Sequence, residues 1–241
     1  MTALLKTEAK LLLREPILLF WGVAFPLVLL TAMGLAGDKP DPDLGGLSLV
    51  QSYVPILVAF TLTVLGVSAL PTAVATYRER GVLRRLATTP LQPSRLLGAQ
   101  LATNAAMAAI TAVLILALAR LGFGVSLPQE PLAFLLALIL AAAALLSIGL
   151  LIAALAPRAR IAGAVGTMLF FPLMFFAGLW APRATMGHTL RDIGDYTPLG
   201  AAVQALQDAS AGAWPGAGRL LVMAAYAVVG AALATRLFRW Q

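Results

Sequence analysis

Residues 131–156 read PLAFLLALILAAAALLSIGLLIAALA, an unbroken apolar stretch without a single Lys, Arg, Asp or Glu. An α-helix rises about 1.5 Å per residue and the hydrocarbon layer of a bilayer is about 30 Å thick, so about 20 apolar residues cross it. This stretch is long enough to do so. Five more of the same kind accompany it: Ile17–Ala36, Tyr53–Tyr77, Leu96–Ala119, Ile161–Pro182 and Gly216–Thr235. Arg219, near the start of the last, is the one formal charge inside them.

The whole chain agrees with that reading. Of its 241 residues 61% are hydrophobic and 11% charged, against about a quarter charged in a soluble domain, which excludes an ordinary soluble enzyme. The apolar runs are continuous, where a membrane β-barrel would alternate polarity over segments of about ten residues. The sequence therefore predicts an all-α integral membrane protein, one domain over 1–241 with six transmembrane helices.

Charge sets the expected orientation. The net charge is +7, with Lys and Arg gathered at the ends of the apolar stretches. Such placement is a topology signal rather than a nucleic-acid footprint. Twelve of the 17 fall before span one, between spans two and three, between four and five, and after six, and five fall on the other side. Positively charged loops stay inside, so both termini are expected to be cytoplasmic. The four Trp, at 21, 180, 214 and 240, all fall at predicted interfaces, where amphipathic rings are favoured. Span one follows a basic segment and ends in small residues, as a signal peptide would, but it is long for one. Residues 1–16 (Lys6, Lys10 and Arg14 among apolar positions) read instead as an amphipathic helix lying on the inner surface.

Most connections are plain turns. Gly37–Ser52 holds Asp38, Asp41 and Asp43 but lacks the spacing and closing Glu of a calcium loop. The cytoplasmic loop 78–95 differs. From Tyr77 it reads YRERGVLRRLATTPLQPSR, mixing five Arg with Val82, Leu83 and Leu86 before a double-proline break. Leu83 and Leu86 share one face of a short helix, with Arg84 and Arg85 pointing elsewhere, so the piece suits docking into a groove on another protein. The alternative is that the Arg only anchor topology and touch anionic lipid, although that needs neither Gly81 nor the Thr88-Thr89-Pro90 stop. The outer segment 183–215 is too long for a turn and carries Leu190, Ile193, Tyr196 and Leu199. It reads as a flexible loop or as a re-entrant or interfacial hairpin.

Much chemistry is missing. There is no Cys, and the sole His188 lies in the outer segment, so no metal site is expected. A P-loop needs Gly-Lys-Ser/Thr to cradle phosphates, and none of Lys6, Lys10 and Lys39 follows a Gly. No cofactor is expected on this chain. Ion-coupled carriers hold ionisable groups at membrane depth, whereas the span interiors offer only Thr61, Thr63, Ser68, Gln100, Thr103, Asn104, Ser147 and Thr167. These are either contacts between helices or lining of a path. Thr61, Thr63, Ser68, Asn104 and Thr167, with Phe171 and Phe175, form the candidate path. Small residues four apart (Ser68 and Thr72, Gly149 and Ala153, Ala162 and Gly166, Gly230 and Ala234) predict close helix approach. Pro26, Pro55, Pro71 and Pro172 can kink spans.

The segment from Tyr77 to Pro90, followed by Leu96-Leu-Gly-Ala-Gln100, resembles the Glu-Arg-x-x-Gly-Thr-Leu-x-x-Leu-x-x-Thr-Pro signature of ABC-2-type ATP-binding-cassette exporter membrane subunits, close in size to the daunorubicin-resistance-type permeases. It is one residue shorter before Gly81 and has Val82 for Thr. Phe170-Phe-Pro-Leu-Met-Phe-Phe-Ala-Gly-Leu-Trp-Ala-Pro182, continuing to Pro198-Leu199, resembles the family's fifth span and outer hairpin, with Ala177 for Ser. The resemblance covers nearly the whole chain. It implies one half of a homodimeric or heterodimeric pore in a cell membrane, an N-terminal interfacial helix and a re-entrant outer hairpin before span six. It also implies a separate P-loop ATPase partner carrying ATP-Mg, coupled through Arg78, Glu79, Arg80, Gly81, Leu83, Arg84, Arg85, Leu86, Thr88 and Pro90. A charge-free path suits an amphipathic drug, lipid or lipid-linked substrate. The competing readings are a secondary carrier or channel, and a lipid-modifying membrane enzyme, for which no nucleophile or acid–base pair is present. Wealth in Ala and Arg and scarcity of Lys fit a GC-rich bacterium.

Overall fold

A computed structural model describes residues 2–37, 39, 46–82, 93–180, 183 and 186–238, all helices, turns and short links. Helix α1 is Thr2–Leu12. Then come α2, Pro16–Gly37, and α3, Leu49–Glu79. Next are α4, Pro93–Phe123, α5, Pro131–Leu155, and α6, Ala159–Ala177. The short helices α7, His188–Tyr196, and α8, Pro198–Ser210, precede α9, Ala217–Leu237. Six of them (α2, α3, α4, α5, α6 and α9) are long and apolar enough to cross a membrane.

Local chemistry sets their ends. Pro16, Pro131 and Pro198 sit in the first turns of α2, α5 and α8, where a missing N–H costs nothing and the fixed φ suits a helix. Helix α3 opens on a capping box: Ser48 Oγ accepts from Gln51 N at 3.2 Å and Gln51 Oε1 accepts from Ser48 N at 3.1 Å. Helix α6 stops at Ala177, short of the expected Pro182, because Gly178 takes a left-handed φ of +89° and its N–H turns back on the last carbonyls.

The second span is the hub, with 83% of its apolar window buried against 17% for the first, fifth and sixth. It is flanked by α2, α4, α5 and α6, while α9 packs chiefly on α5. Glycines set the closest approaches. A Cβ on Gly149 of α5 would collide with the Gly66 carbonyl of α3, and one on Gly166 of α6 would come within 2.6 Å of the Val67 carbonyl. On the other side of α5, Ser147 Oγ donates to Tyr226 O of α9 at 3.0 Å beside Gly230. Of the expected small-residue pairs, those around Gly149, Gly166 and Gly230 lie in helix seams.

Two spans are widened. Phe20–Ala24 in α2 and Val64–Ala69 in α3 are π-helical, and each stretch ends just before Pro26 or Pro71. A proline cannot donate to the carbonyl four residues back and its ring pushes that carbonyl aside, which favours the wider turn.

The segment expected as an outer hairpin forms α7 and α8. Helix α8 is core: Leu199, Ala201, Ala202, Val203, Ala205, Leu206 and Ala209 are fully buried against α3, α5, α6 and α9. Arg183 Nη2 pairs with Asp195 Oδ1 at 2.6 Å, Arg219 pairs with Asp208, and Glu130 N donates to Ala209 O at 3.1 Å. At the opposite end α1, the close of α3, the start of α4, the α5–α6 turn and the close of α9 meet, so the first helix and the close of the last share one end.

Candidate functional site

A groove of about 1060 Å³ runs between α1, α2, α3, α4 and α6. Along α3 and the residue that caps it, the groove is lined by Phe60, Val64, Ser68, Thr72, Thr76 and Arg80, a four-residue spacing that keeps to one helix face. On α2 the same spacing gives Ile17, Trp21, Phe25, Leu29 and Met33. Tyr53 and Trp180 line it at the α7–α8 end, and Glu8 and Gln100 at the terminal end. At about 1.5 Å per residue, the face from Tyr53 to Arg80 covers about 40 Å, enough to cross a bilayer.

The two halves of the groove differ. Toward the α7–α8 end the walls are aromatic and ring neighbours form a ladder. Centroids lie 4.9 Å apart for Trp21–Phe25, 5.2 Å for Phe25–Phe60, 5.5 Å for Phe60–Phe170 and 6.3 Å for Phe171–Trp180. Toward the terminal end they carry hydroxyls, amides and a carboxylate. Glu8, 4% exposed, accepts from Tyr77 Oη at 2.9 Å and from Gln100 Nε2. Burial pushes its carboxyl above the ordinary range, against the pull of those two hydrogen bonds.

Of the candidate path residues, Ser68, Asn104, Thr167 and Phe171 line this groove. Phe175 lies on a shallow outer hollow with Pro172 and Phe176. Thr61 and Thr63 are buried in the bundle, and Thr63 Oγ1 donates to Ala59 O at 2.8 Å. Glu8, Thr72, Thr76 and Tyr77 were not among the sequence candidates. The available signals were the lone acid between two lysines in the first helix and the continued four-residue spacing from Ser68 to Arg80.

The expected coupling segment begins at the end of α3. Arg78 Nη1 donates to Ala156 O at 3.0 Å and its guanidinium lies over the Phe238 ring, 5.1 Å from the centroid. Glu79 Oε1 accepts from Ala159 N at 2.9 Å. Arg80 N donates to Thr76 O to close the helix, and Gly81 turns with φ +65° in open space. Leu83, Arg84, Arg85, Leu86, Thr88 and Pro90 lie outside the described residues.

A family model described as ABC-2 type transporter matches residues 1–209. The chain belongs to the ABC-2 type transporter family. It is a multi-pass membrane protein and the permease component of an ABC transporter. No curated protein and no solved structure matches the permease.

Proposed function

We propose that the permease provides the translocation path of an ATP-driven exporter for amphipathic drugs, lipids or lipid-linked substrates, paired with a second permease copy and powered by a separate P-loop ATPase subunit. The observation that carries this reading is the groove, aromatic at one end and polar at the other along one continuous face of α3, which matches an amphipathic molecule in both parts. The ATPase docks on the segment that starts at Arg78. That segment leaves α3 where Arg78 and Glu79 grip the α5–α6 turn, so a push on it reaches α3 and α6, two walls of the groove. ATP biases the groove between inward and outward shapes only by binding one state better than the other. Membrane lipid surrounds the exposed apolar faces of α4, α5 and α9.

The test replaces Leu83 and Leu86 by Asp and measures ATPase capture and ATP-driven transport in vesicles. Loss of both is expected. Undiminished association refutes docking through this segment, and transport that survives complete ATP depletion establishes a secondary carrier or channel instead.

A further inference from the structure

Hydrogen-bond bookkeeping at the polar end of the groove points to the chemistry of its occupant. The phenol, amide and threonine donors there bond within the protein. Tyr77 Oη donates to Glu8, and the Gln100 amide donates to Glu8 and to Tyr77 Oη at 3.3 Å. The Asn104 amide donates to Gln100 O at 2.8 Å and to Gln100 Oε1 at 3.3 Å. The Thr72 and Thr76 hydroxyls donate to Ser68 O and Thr72 O at 2.7 and 2.8 Å. Buried acceptors remain, beside the exposed Arg80. Asn104, 2% exposed, has its Oδ1 buried without a partner, and a carboxylate has about four lone-pair sites, more than the bonds Glu8 receives. A site of spare acceptors selects a ligand that donates.

Charge narrows the choice. The described residues that line the groove include two carboxylates, Glu8 and Glu15, and one cation, the exposed Arg80. A positive donor is therefore favoured over a neutral one. The aromatic ladder from Trp21 to Trp180 offers ring faces and edges to an apolar body, and its near end can add cation–π attraction.

We infer that the groove recognises amphiphiles with a protonated amine head, held by the Glu8 carboxylate and Asn104 Oδ1, and an apolar or aromatic body lying along the Trp21–Trp180 ladder. This names the substrate class and rests on reading the groove as the transport path. The shared chemistry, an ammonium on an apolar body, is found in soluble lipophilic amines and in aminophospholipids.

The test uses the permease in phosphatidylcholine nanodiscs, without ATP. Binding of dansylcadaverine, a primary amine on an aromatic body, is compared with that of its neutral N-acetylated form. The amine should bind about ten-fold or more tightly, as expected for a buried charge-assisted pair. Glu8→Gln should abolish that preference. Asn104→Leu, on a different helix and with its own bonds made within α4, should weaken the amine several-fold and leave the acetylated form unchanged. Equal binding of the two probes to the wild-type protein, or a preference that survives both substitutions, overturns the inference. Phosphatidylethanolamine added to the discs assigns the source: displacement of the probe in a Glu8-dependent way identifies the aminophospholipid, and retention of the probe identifies the soluble amine. Failure of the path reading looks different. Glu8-dependent amine binding would persist, while the complex with its ATPase would not move the amine on adding ATP.

Discussion

Glu79, the last residue of α3, accepts a hydrogen bond from the backbone amide of Ala159, the first residue of α6, at 2.9 Å. The residue before that amide, Arg158, makes no side-chain cap, so a carboxylate from another helix does what a local Ser or Asp does elsewhere. Two spans that wall the groove are thereby tied together at the point where the chain leaves for the coupling segment.

Replacing Glu79 by Ala should leave membrane insertion intact while lowering ATP-driven transport. The local cost should be of the size of a lost cap, about 0.5–2 kcal/mol, seen as faster hydrogen exchange in the first turn of α6. Glu79→Gln keeps an acceptor oxygen and should retain most of both properties. Loss of insertion in the Ala variant would show that the contact is structural only.

The glycine seams differ in tolerance. Gly149→Ala places a methyl group against the Gly66 carbonyl, a backbone atom that cannot move alone, and should cost about 1–3 kcal/mol. Gly230→Ala meets Ser147 Oγ at 2.6 Å, which can rotate at the expense of its bond to Tyr226 O, so its cost should be smaller. Thermal unfolding in detergent should rank them in that order; the reverse order would mean the two seams have been assigned the wrong rigidity.

The threonines and serine of α3 should separate by position. Ser68 faces the groove, so Ser68→Leu should lower transport with little change in stability. Thr63 is fully buried away from the groove, so Thr63→Val should leave transport unchanged and lose only the local bond to Ala59 O, about 1 kcal/mol. Equal effects on transport would remove this face of α3 from the path.

Glu8 makes the docking of α1 depend on pH. Its carboxyl is raised above the ordinary 4.5 chiefly by burial, so the folded state holds the proton more tightly than the unfolded one. The resulting stability is fully present below about pH 4.5 and is lost as pH rises through the raised folded value. The groups facing it are Tyr77 and Gln100, with Arg80 near enough to act on Tyr77. Hydrogen exchange in residues 2–12 should therefore accelerate with pH beyond its chemical baseline, and Glu8→Gln should flatten that excess. An unchanged excess in the variant would assign it to another group.

What was legible in the sequence was whatever depends on a local property of the chain. A backbone in lipid must satisfy its own hydrogen bonds, so a charge-free run such as 131–156 is a helix whatever surrounds it, and Pro131 and Pro157 mark its limits. The Tyr77–Pro90 motif, being contiguous, also carried the family. The long segment 183–215 was ambiguous, because whether Leu199 and Leu206 are core depends on a cavity that only α3, α5, α6 and α9 together create.

The polar end of the groove was not legible. Glu8 and Gln100 stand 92 positions apart, and in a chain this apolar a Ser or Thr reads equally as helix contact or path lining. Thr63 and Ser68 share a span, yet the register of α3 against α2 and α6 turns one into the bundle and the other into the groove. Crossing the membrane is a property of composition along one segment. Which polar atoms are left without partners, and so which ligand is invited, is a property of how separate segments pack, and only the tertiary structure decides it.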